Sequence, residues 1–214
     1  MKNPLSSTPV DEELHEGIFK DTVRQLGALT GRGDVEVRVS RQRGARARCY
    51  PRPQITVGLD VLERSAAAQQ WTAAHEMAHA LGHPVSWVHR YGISACFVVA
   101  SACMVPLFLG SGASVVGTYV AMIGLALTGC LWYARVTQGR EIAADLQAAA
   151  WGYPMPEDLV MILIADEKRH HLNWLPQVLR THPRPEDRAA MTRLRGQVGR
   201  RGRAGLGDRQ RRGP

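Results

Sequence analysis

Between Tyr91 and Ala134 the chain carries no Asp, Glu, Lys, Arg or His. A run of 44 uncharged residues narrows the folds open to a chain of 214. A bilayer core takes about 20 apolar residues per helix. The run therefore has room for two spans, about Tyr91–Leu109 and Ala113–Tyr133, joined by a turn at Gly110-Ser111-Gly112. Trp87, Tyr91, Trp132 and Tyr133 stand at the flanks, as an interfacial aromatic belt would. A helical hairpin buried in a soluble core is the alternative, but small proteins rarely bury two helices on every face. Arg90, Arg135 and Arg140 flank the run and its turn is uncharged. The positive-inside rule then expects a two-span protein of the cell membrane, with a lipid bilayer as partner and both termini in the cytoplasm.

Outside that run the chain is strongly basic, with a net charge of +8. Much of the excess lies in the Arg- and Gly-rich tail, residues 196–214, which reads as disordered like residues 1–8. Three of the four cysteines fall inside the uncharged run, which excludes a disulfide framework and a cysteine-based zinc cluster. The N-terminus lacks the apolar stretch of a cleavable signal.

Thr8-Pro9, followed by Asp11, Glu12 and Glu13, starts a helix that Gly31 and Gly33 end. Leu14, Ile18, Val23, Leu26 and Leu29 form its apolar stripe. Residues 35–39 and 54–58 alternate as strands, with a basic turn or loop at Arg41–Arg48 between them. They read either as a structural hairpin or as a small sheet whose edge could hold an extended peptide by β-augmentation. A second helix spans about Ala66–Leu81. After the uncharged run come helices at Gln138–Trp151 and at about Pro156–Lys168, and a last one from Thr181-His-Pro-Arg-Pro-Glu-Asp-Arg188 to near Leu194. The expected domains are a catalytic domain in two parts, 9–90 and 135–195, interrupted by the hairpin at 91–134.

The Ala66–Leu81 helix contains His75-Glu76-Met77-Ala78-His79. Residues i and i+4 share a helix face, so both imidazoles can reach one metal ion. Glu76, about 100° around the axis, sits beside the metal and can take a proton from a bound water. The position where a metzincin has its third histidine holds Val85, so a third ligand must come from further along. Glu141 and Asp145 form a second i, i+4 pair.

This order of motifs, His-Glu-x-x-His, then Glu141-Ile-Ala-Ala-Asp145, then Thr181-His-Pro-Arg-Pro-Glu-Asp-Arg188, resembles the HtpX-like integral-membrane zinc metalloproteases, relatives of the CAAX prenyl endopeptidases. The resemblance covers about Val35 to Leu194. It implies an α+β gluzincin-type fold, mainly helical with a small sheet, and one Zn2+ per chain. It implies His75, His79 and Glu141 as zinc ligands, Glu76 as general base and Asp145 as the acid that holds a ligand histidine. His182 and Arg188 would lie near the scissile carbonyl. The family's Asn-Ala dipeptide on the strand before the metal helix is absent here.

The expected function is a membrane-anchored zinc endopeptidase acting on membrane or membrane-adjacent proteins, as in quality control. Two other readings are a regulatory protease that cuts one repressor or anti-sigma factor, and a non-catalytic membrane scaffold. In the scaffold the basic tail would grip anionic lipid or nucleic acid. No specific nucleic-acid partner is expected.

Overall fold

The computed structural model describes residues 9–49, 52–82, 113–169 and 182–195. In chain order these form α1 (Pro9–Thr30), β1 (Glu36–Ser40), β2 (Ala45–Arg48), β3 (Gln54–Gly58), α2 (Leu59–Leu62), α3 (Ala66–Leu81), α4 (Ala113–Ala150) and α5 (Glu157–Arg169). A further helix, α6, covers 185–195. The described residues are mainly helical, with one three-stranded sheet. The expected disordered ends, 1–8 and 196–214, lie outside the described residues.

α1 stops where its glycine requires. Gly31 takes φ 69°, a left-handed conformation open to glycine at little cost. The Arg32 N–H then donates to Gly27 O at 2.8 Å and the Gly31 N–H to Ala28 O at 3.4 Å. This is the Schellman arrangement, which satisfies the last carbonyls of a helix. The buried stripe differs in detail from the expected one. Phe19 is fully buried with Val23 and Leu26, whereas Leu29, in the last turn, is 68% exposed.

Of the two expected readings, a small sheet and a hairpin, the strands form the sheet, with a third strand added. β3 lies between the other two strands. It runs parallel to β1, Glu36 facing Gln54 and Ser40 facing Gly58, and antiparallel to β2, Ala45 facing Val57 and Arg48 facing Gln54. Residues 45–48, expected in a loop, are thus an edge strand. Ala45-Arg46-Ala47-Arg48 does alternate with a period of two: the alanines turn to the core and the arginines to solvent. Alanine is a weak strand former, so composition hid the strand. The chain reverses after β1 and again after β2. The third strand therefore runs in the direction of the first and slots between the two.

The turn between β1 and β2 is tightly held. Gly44 takes φ 78°, its N–H donates to Asp60 Oδ1 at 2.8 Å, and its carbonyl accepts from the Gly58 N–H at 2.7 Å. A side chain on Gly58 would collide with the Gln42 and Gly44 backbone oxygens and the Asp60 carboxylate. Gly58→Ala is expected to dislodge this turn and cost about 1–3 kcal/mol, read as a lower midpoint of urea unfolding.

α3 is the spine of the core. Ser65 caps it, accepting from the Ala68 N–H at 3.2 Å and donating to Asp158 Oδ2 at 2.5 Å. Trp71, Ala73, Ala74, Met77 and Ala80 are buried against Phe19, Ile55, Val57 and Leu159. The alanines leave room for close approach on several sides of this helix. Buried Gln69 donates to the Leu62 and Arg64 carbonyls at 2.7 and 3.0 Å, satisfying acceptors at the end of α2 and just beyond it.

Residues 113–150 form one helix of 38 residues, not a span ending at Tyr133 and a separate helix from Gln138. Ala134-Arg135-Val136-Thr137 holds no proline, so nothing halts propagation. No helix among the described residues is long and apolar enough to cross a membrane. That overturns the transmembrane hairpin and, with it, the two-span cell-membrane localisation. Absence of charge is a weaker property than apolarity. Gly117, Gly124, Thr128 and Gly129 dilute the strongly apolar side chains of the run. The expected first span, 91–109, and its turn lie outside the described residues.

Two compact units result, and the division falls inside α4, between Glu141 and Ile142. Among the described residues, the first comprises 9–49, 52–82, 142–169 and 184–195 and contains the sheet and the core above. The second comprises 113–141 and 182–183. α4 ends in the first unit as α1 does: Gly152 takes φ 100°, and the Tyr153 N–H donates to Ala148 O at 3.0 Å.

Candidate metal centre

The capped α3 sets both histidines on one face. His75 is 6% exposed and its Nε2 lies 3.1 Å from Nε2 of His79. The two rings meet edge to face, their centroids 4.7 Å apart at 86°. Two nitrogens sharing a tetrahedral zinc at about 2.0–2.1 Å would stand about 3.3 Å apart. The imidazoles are therefore already near that spacing.

The back of His75 is fixed by a chain of charged groups. His75 Nδ1 lies 2.8 Å from Asp145 Oδ1. Arg188 grips the same carboxylate with both arms, Nε to Oδ2 at 2.7 Å and Nη2 to Oδ1 at 2.9 Å. Trp71, one turn before His75, stacks on its ring at 4.9 Å and 23°. The Arg188 guanidinium sits 5.5 Å from the centre of the Trp71 ring. Burial pushes the Asp145 carboxyl up, but hydrogen bonds from Arg188 and His75, and their charges, hold it below its ordinary value. An ionised Asp145 fixes the His75 proton on Nδ1 and turns the Nε2 lone pair outward.

Glu141 lies on α4 one turn before Asp145, so the helix itself fixes the offset between the two carboxylates. His75, His79 and Glu141 each offer one ligand atom, and these atoms lie within 4.8 Å of one another. His182 Nδ1 is 3.2 Å from Glu141 Oε2, with the His182 side chain 59% exposed. Two imidazoles and a carboxylate, with the buried histidine braced from behind, are a group that could hold a metal ion.

The residues named from the sequence do not all come to the same place. His75, His79 and Glu141 converge, Asp145 stands behind His75, and Glu76 is buried to 9% exposure on the same helix. Arg188 is engaged with Asp145 and 7% exposed, and does not stand open to a substrate carbonyl. Trp71 belongs to none of the sequence motifs. Its only signal was an aromatic residue four positions before a ligand histidine. No family model matches the chain, and no curated protein or solved structure matches it.

Proposed function

We propose that the chain is a zinc metalloendopeptidase of the HtpX-like kind, holding one Zn2+ on His75, His79 and Glu141. Its substrates are proteins with extended segments. The single observation that carries this reading is the pair of histidine nitrogens 3.1 Å apart, with the Glu141 carboxylate within 4.8 Å. Bound zinc would supply a Lewis acid for the scissile carbonyl and a water with a pKa near 7. Glu76 would serve as the general base for the attacking water and as the proton donor to the leaving amine. His182, its Nδ1 3.2 Å from Glu141 Oε2, would be the imidazole that donates to the developing oxyanion. Asp145 holds His75 in the ligating tautomer and Arg188 holds Asp145, so Arg188 acts as a positioning residue. The outer edge of β2, unpaired among the described residues, lies on the strand against which α3 chiefly packs and would offer backbone groups to an extended peptide.

The test is zinc content per chain and casein cleavage by the purified protein. About one zinc per wild-type chain is expected, with most of it lost in Glu141→Ala. Cleavage should stop with chelator and return with added zinc. A wild-type chain that takes up no zinc ends the proposal. A zinc-loaded chain inert towards casein ends its catalytic part.

A further inference from the structure

We infer that the edge strand β2 selects acidic substrates, through a run of arginines that pair with no carboxylate among the described residues. This rests on the peptidase reading of the neighbouring site. Six other arginines pair with Asp or Glu at 2.7 to 3.2 Å among the described residues. Arg41, Arg43, Arg46 and Arg48 do not, a property shared with Arg52 and several arginines outside the sheet, and all four are exposed. The register explains why. The outer row of the sheet reads Glu36, Gln54, Arg48. Arg38 takes Glu36 at 2.8 Å and the Gln54 amide takes it at 3.1 Å, so the only acid in that row is engaged at the far edge. The next row reads Arg38, Thr56, Arg46 and contains no acid at all.

An edge strand presents unpaired backbone donors and acceptors. Arg46 and Arg48 stand two residues apart on its outward face, about 6.8 Å along the strand. An added strand places its own alternate side chains at that spacing. Acidic residues there would face the arginines as cross-strand pairs. A single-stranded nucleic acid is the other polyanion to weigh, but it needs aromatic platforms for its bases. Residues 41–48 contain none.

The experiment is fluorescence anisotropy with the full-length Glu76→Gln chain and labelled extended peptides carrying Glu, Gln or Lys at alternate positions. A single-stranded RNA of matched charge is run alongside. The Glu peptide is expected to bind about 10-fold tighter than the Gln peptide, with the advantage shrinking as salt rises. In the R46E/R48E double variant the order should reverse in favour of the Lys peptide. The tail arginines are common to both chains, so the reversal reads β2 alone. Equal affinity for the Glu and Gln peptides, an unchanged preference in the double variant, or RNA binding tighter than the Glu peptide would each overturn the inference. If the Glu peptide binds as stated and the wild-type chain cleaves nothing, the edge assignment stands and the peptidase reading falls.

Discussion

Replacing Glu76 with Gln is expected to lower peptide-bond cleavage by about 10²- to 10⁴-fold while zinc content stays at the wild-type level. The amide keeps the size of the carboxylate at a site only 9% exposed, so packing is preserved. It removes the one property the chemistry needs, a basic oxygen that can accept a proton and release it to the amine. Glu76 is not among the three converging ligands, so metal affinity should not follow activity down. The check is kcat/KM on a fluorogenic peptide beside metal content and thermal midpoint. Activity within about 10-fold of wild type, with metal intact, would show that another group activates the water.

Removing the carboxylate at position 145 should be the most damaging change to stability. Asp145→Ala leaves the Arg188 guanidinium, 7% exposed, without its partner, and breaking such a buried pair costs about 3–5 kcal/mol. It also frees the His75 ring, which should weaken zinc binding about 10- to 100-fold. The two losses can be separated. A double variant, Asp145→Leu with Arg188→Met, removes both charges and should recover much of the stability, but zinc affinity should stay low because His75 still lacks its brace. Recovery of both would mean that the carboxylate serves packing alone.

The same carboxyl sets an acid limit. Its folded value lies below the ordinary one of about 3.9. Its contribution is therefore complete above the ordinary value and is lost as pH falls through the lowered folded value. With chelator present, the wild-type chain should lose stability on that acid limb, and the Asp145→Asn variant should show a flatter one. Urea midpoints taken across the acid range would show the difference.

Local features were legible in the chain; long-range pairings were not. The Ala66–Leu81 helix could be read to its ends, because Ser65, an alanine-rich body and Gly82 are all local signals. The i, i+4 pairs His75/His79 and Glu141/Asp145 follow from helix geometry alone. The partnership of Arg188 with Asp145 spans 43 residues, and nothing near either residue announces it in a chain with many arginines. β2 was hidden because alternation of alanine with arginine looks like a basic loop. The parallel pairing of β1 with β3 depends on a middle strand the composition concealed. The uncharged run misled for the opposite reason, since absence of charge does not by itself make a helix long and apolar enough to span a bilayer.

α6 contributes a single guanidinium to the back of the centre, and it is the last described helix to leave the ribosome. A nascent chain halted before residue 185 would already hold His75, His79 and Glu141, yet Asp145 would lack the cation that lowers its pKa and aligns it. Under the proposed function, vectorial synthesis would thus delay a fully braced centre until α6 docks.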